Sequence, residues 1–168
     1  LCEAWRHTGE VRFRDAAEAL IARCVHPTQD LAALDLLDAE RRWSYVVFLK
    51  YLLKYLDLKA AAGELDAQWR YGRAALLHYA RFMVAHERPS TSQPERLEFV
   101  TETWPAQDLR KAQVVHGAAA YVEGAERRAF HDWAARTFRV AFDELRSHGT
   151  ATLCRPLVLV LHPAIAET

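Results

Sequence analysis

Five residues with chemical potential fall within nine positions of one another: Glu102, Trp104, Gln107, Asp108 and Arg110. They follow the chain's least regular stretch, 87–104, and stand at what reads as a helix entrance, with Thr103 a candidate cap and Pro105 suited to the first turn. Sugar recognition calls for an aromatic platform beside carboxylates and amides, so Trp104 could stack on a sugar ring while Gln107 and Arg110 bind hydroxyls or a carboxylate. Glu102 and Asp108 are then the candidate general acid and base. Glycoside hydrolysis needs two acids roughly 5–9.5 Å apart; a second acid would have to come from elsewhere, with Asp30, Asp35 and Asp57 as candidates among which nothing in the sequence chooses. The same residues also fit a structural part, because acids suit helix N-termini and Trp104 could be a core anchor. The two readings differ in geometry. A sugar site requires Glu102 and Asp108 to border a pocket with Trp104 exposed, whereas an interaction domain buries Trp104 and leaves an apolar groove.

The remaining constellations are weaker. Histidines stand at 7, 26, 78, 86, 116, 131, 148 and 162, and no two share the i, i+4 spacing that presents paired imidazoles to a metal from one helix. No metal site is therefore expected, His116 and His131 read as structural or solvated, and no cofactor is implied. Cys24 lies on an apolar stripe and reads as core, while Cys154 beside Arg155 could have a lowered pKa. There is no glycine-rich phosphate loop and no GxSxG. Lys50, Lys54 and Asp57 form one polar row on an otherwise apolar helix, which reads as its solvent edge or, alternatively, as the lining of a ligand-facing interior.

These residues must be positioned by helices. Six glycines and six prolines leave long uninterrupted stretches, and the apolar periodicity gives an all-α chain of antiparallel hairpins. Residues 10–25 form a helix with Phe13, Ala16, Ala17, Leu20, Ile21 and Cys24 inward. A shorter one spans 29–42, capped by Thr28. The segment 43–61 is apolar nearly all round and should be the most buried. Its partner, 65–86, places Trp69, Gly72, Leu76, Tyr79 and Met83 at helical spacing. A second hairpin pairs 105–122, with Leu109, Ala112, Ala119 and Val122 inward, with 125–146. The latter carries a wide apolar face of Phe130, Trp133, Ala134, Thr137, Phe138, Ala141, Phe142 and Leu145. The hairpin recurs after roughly 60 residues, which suggests a repeat of paired helices.

The run Thr101-Glu102-Thr103-Trp104-Pro105-Ala106-Gln107-Asp108-Leu109-Arg110-Lys111, followed by paired helices and by Arg155-Pro156-Leu157-Val158-Leu159-Val160-Leu161, resembles the late hairpins of six-hairpin (α/α) toroid proteins. That superfamily includes glycosidases and N-acylglucosamine epimerases. The resemblance implies apolar inner and amphipathic outer helices with a saccharide site in the funnel at one end of the ring. It could cover most of 43–162 and implies a fragment or a smaller, open array.

The chain has 168 residues, 51% of them hydrophobic, with 22 basic and 22 acidic side chains. That length is one domain by expectation, and it can bury a core without staples. Zero formal charge removes the positive field that nucleic acid binding favours. The most apolar run, 45–58, is broken by charges and too short for a bilayer of roughly 30 Å, so no membrane partner is expected. Three scattered cysteines and the lack of a visible secretion signal read as a reducing, cytoplasmic setting. Half a ring would leave an apolar face uncovered, so a homo-oligomer or a missing remainder of chain is expected.

Overall fold

In the computed structural model, residues 1–149 are described; Cys154 and the stretch 155–161 lie outside them. The described residues form seven α-helices and no strand, so the chain is all-α. The helices are α1 (Cys2–Thr8), α2 (Val11–Cys24), α3 (Ala39–Arg42), α4 (Ser44–Ala61), α5 (Ala67–His86), α6 (Thr103–Ala118) and α7 (Gly124–Ser147). Single 3₁₀ turns occupy Ala32–Leu34, Ser90–Ser92, Pro94–Arg96 and Ala119–Tyr121.

The long helices begin and end where local chemistry dictates. Asp66 caps α5 by accepting from the Trp69 amide at 2.9 Å. Gly63, in the left-handed region at φ 74°, ends the turn after α4. The segment 29–42 does not become one helix. Asp30, rather than Thr28, accepts from the Ala32 and Ala33 amides, Asp35 turns left-handed at φ 52°, and Asp38 caps the short α3 through the Arg41 amide. Asx capping here competes with helix propagation and divides the segment.

The core forms where the two hairpins, α4–α5 and α6–α7, pack on each other. Val46, Leu49, Leu52, Tyr55 and Leu56 of α4 meet Ala75, Leu76, Tyr79, Ala80 and Met83 of α5, together with Val114, Val115 and Ala118 of α6. Gly72 makes the close approach of α5 possible: a Cβ there would lie 3.2 Å from both Leu52 Cδ1 and Leu56 Cδ2. The most buried helix is α6, in correction of the expectation for 43–61. Eleven of its sixteen residues are buried, against six of eighteen in α4. Small residues explain the difference. Ala106, Ala112, Ala118 and Gly117 let α4, α5 and α7 approach α6 closely, whereas α4 leaves Tyr51 and Asp57 in solvent.

Two apolar stripes are narrower than their periodicity implies. On α2, Ala17 and Ile21 are buried but Leu20 and Cys24 are exposed, because that helix is covered from one side only. On α7, Phe130, Trp133, Ala134 and Ala141 face the core, while Phe138 and Phe142 stand in solvent.

Candidate functional site

The entrance of α6 is an interior feature. Trp104 is 7% exposed, and its indole N–H donates to the Phe99 carbonyl at 2.8 Å. This anchors the incoming loop to the first helical turn, and the ring is no open platform for a sugar. Gln107 is also buried, its Oε1 accepting from an Arg110 guanidinium N–H at 2.9 Å. Arg110 and Glu102 are half-buried, Glu102 as the cap residue of α6 without a side-chain cap bond.

Asp108 is 1% exposed and fully engaged. Oδ2 accepts from the Ser90 amide at 2.7 Å, and Oδ1 accepts from Ser90 Oγ and from Lys111 Nζ, each at 2.9 Å. Lys111 in turn donates to Glu87 Oε2 at 2.9 Å, and Glu87 Oε1 accepts the Tyr45 hydroxyl. One buried chain of hydrogen bonds thus runs Tyr45–Glu87–Lys111–Asp108–Ser90, tying α4, the end of α5, the 3₁₀ turn and α6 together. Burial by itself would lower the Lys111 value, but the two carboxylates more than reverse this and hold it above the ordinary lysine range. Burial, then the charge of Glu87 and its hydrogen bond, drives Tyr45 well above the ordinary phenol value, so its proton stays in place. A carboxylate already bonded to an ammonium, an amide and a hydroxyl is a poor general base.

The recesses here are small. The one bordered by Trp43, Tyr45, Trp104 and Gln107 has a volume of about 10 Å³, room for about one water. Its neighbour, bordered by His86, Arg88, Gln93, Arg96 and Lys111, reaches about 110 Å³. Pockets that take small-molecule ligands usually measure roughly 300–1,000 Å³.

The candidates for a second acid are also occupied locally. Asp30 caps the 3₁₀ turn, Asp35 is an exposed turn residue, and Asp57 accepts the Tyr121 hydroxyl at 2.5 Å. In the polar row of α4, Asp57 is exposed, Lys54 pairs with Glu3, and Lys50 is half-buried. Burial, then the charge of Arg110, pulls Lys50 down to about 8. A folded value below the unfolded 10.5 means that between about pH 8 and 10.5 the unfolded chain binds the extra proton, so stability rises with pH across that window. Lys50→Met should lose this rise, so its stability relative to wild type should fall between about pH 8 and 10, and urea denaturation at the two pH values measures it.

Sequence reasoning passed over three residues: Glu87 and Lys111 in this cluster, and Lys59 at the opposite end of α4. Lys59 is fully buried, with Glu18 Oε1 at 2.9 Å and Asp66 Oδ2 at 2.6 Å, which ties α2 and the α5 cap to α4. A signal was present for two of them. Lys59 continues the stripe of Leu52, Tyr55 and Leu56, and Lys111 stands three residues after Asp108 beside Ala112 and Val115. A lysine on an apolar stripe must bring an acid with it. Comparison with known protein families, with curated proteins and with solved structures gave no match.

Proposed function

We propose that this chain is a non-catalytic helical interaction module that self-associates through the outer flank of α7. The observation that carries this reading is the exposed pair Phe138 and Phe142. Their rings stack at 5.9 Å and 8°, and Arg146 lies over Phe142 at 5.9 Å. With His131 and Ala135 they form a continuous stripe at helical spacing, all of it exposed. An ordered apolar ridge with solvent on it normally has a partner. The interior role of Asp108 and Trp104 supports the same reading, since it leaves the best acid–base candidates no open pocket to serve.

Charge order along α7 favours a second copy as that partner. Asp132, Arg136, Arg139, Asp143 and Arg146 run along the flank beside the aromatic ridge. In an antiparallel, two-fold pairing centred near Arg139, Asp132 meets the other copy's Arg146 and Asp143 meets its Arg136. Symmetry doubles both contacts. Only Arg139 meets its own counterpart, so four attractive contacts stand against one repulsive one.

Sedimentation velocity at tens of micromolar should show a dimer. Phe138→Glu with Phe142→Glu should give a monomer of unchanged helicity, because both positions are exposed and only the contact suffers. Asp132→Arg should weaken association, and adding Arg146→Asp should restore it. A wild-type monomer at that concentration would overturn the association. A saccharide that raises the melting temperature of wild type but not of Asp108→Asn would overturn the non-catalytic reading and favour a carbohydrate site.

A further inference from the structure

The closing turn of the second hairpin brings together two imidazoles that lie fifteen residues apart. His116, in the last turn of α6, and His131, two turns into α7, place their Nδ1 atoms 3.3 Å apart, with ring centroids 4.9 Å apart and planes at 64°. Both side chains are exposed, so apolar burial does not account for the contact. As an N–H···N hydrogen bond it lies at the long end of the range. As two corners of a tetrahedral ion it fits. Bonds of about 2.0–2.1 Å to each imidazole nitrogen at a tetrahedral angle put the two nitrogens about 3.3–3.4 Å apart.

We infer that His116 Nδ1 and His131 Nδ1 form a two-histidine site for a divalent first-row transition metal, with Zn²⁺ and Ni²⁺ as accessible probes. Neutral imidazole is a borderline-soft donor that suits these ions and not Mg²⁺ or Ca²⁺. Among the described residues no set of three His, Cys, Asp or Glu side chains converges. No third described side chain fills the remaining coordination positions. Its two ligands come from different helices, so an ion there ties the end of α6 to α7 across the hairpin turn. The site uses no contact between copies, but His131 also belongs to the α7 stripe of the self-association reading, so metal binding is measured on the Phe138→Glu, Phe142→Glu variant as well as on wild type.

Zn²⁺ titration of the whole chain, followed through the side-chain ¹⁵N resonances, should shift the Nδ1 signals of His116 and His131 together and at one equivalent. By calorimetry, His116→Ala and His131→Ala should each weaken Zn²⁺ and Ni²⁺ binding by at least about tenfold, since losing one of two ligands costs no less than losing an outer contact, which typically costs about 10–100-fold. Both ions should raise the melting temperature of wild type and leave the two variants unmoved. His7→Ala, at an exposed histidine of α1, should titrate as wild type. Variants that bind either ion as tightly as wild type, or Nδ1 signals that stay in place, would overturn the site and leave the contact as a hydrogen bond.

Discussion

Lys111→Met should destabilise the fold by about 3–5 kcal/mol, the usual consequence of removing one partner from a buried ion cluster. The ammonium stands between Glu87 and Asp108, at 2.9 Å from each, and neither carboxylate has solvent to turn to. Methionine fills a similar volume, so the loss reports charge rather than a cavity. The wild-type lysine titrates above its unfolded value of 10.5, so its contribution is complete below about pH 10.5 and is lost as pH rises through the folded value. Urea midpoints of variant and wild type at pH 7 measure it. Adding Glu87→Gln and Asp108→Asn to Lys111→Met should recover a large part of the loss at pH 7. A variant as stable as wild type at pH 7 would show that the chain Tyr45–Glu87–Lys111–Asp108–Ser90 holds nothing together.

Trp104→Ala should cost about 3–5 kcal/mol, the range for truncating a buried aromatic. Two losses combine: the indole's apolar area, and the hydrogen bond to the Phe99 carbonyl, which fixes the loop against α6. Trp104→Phe keeps most of the area and should cost about 1–2 kcal/mol, chiefly through the unpaired carbonyl. Thermal and urea unfolding of both variants separate the two parts. A surface platform for a ligand would give another pattern, with near-normal stability in Trp104→Ala because an exposed ring contributes little to folding. Stability within about 0.5 kcal/mol of wild type would therefore contradict the anchor role.

Much of the architecture was legible because helix formation is a local matter. The segments 43–61, 65–86 and 125–146 were bounded within two residues by Gly63, Gly124 and the apolar repeat, against observed helices Ser44–Ala61, Ala67–His86 and Gly124–Ser147. The break at 29–42 was not legible, since an Asp that caps and an Asp that merely sits on a helix look alike until the backbone chooses. At the α6 entrance, the residue types are plain from the amino-acid order and their surroundings are not. Glu102, Trp104, Gln107, Asp108 and Arg110 do gather at one helix start, but burial and the distant Glu87 and Ser90 turn Asp108 and Trp104 into internal anchors.

Period, capping and glycine placement act over a few residues, so the helical class, the course of the long helices and their apolar positions can be read from the amino-acid order alone. Which apolar residues go inside is settled by packing between helices. Phe138 and Phe142 match Phe130 and Trp133 in type, yet they face solvent on a different flank of α7, which no described helix covers. Packing likewise decides the partners of charges and imidazoles. Lys111 finds Glu87 twenty-four residues away, Lys59 finds Glu18 forty-one away, and His116 finds His131 across a turn. Such pairs are set by how helices cross. Crossing depends on the small residues Gly72, Ala112, Gly117 and Ala118, and on the side chains they admit, a property of packed surfaces that no single helix encodes.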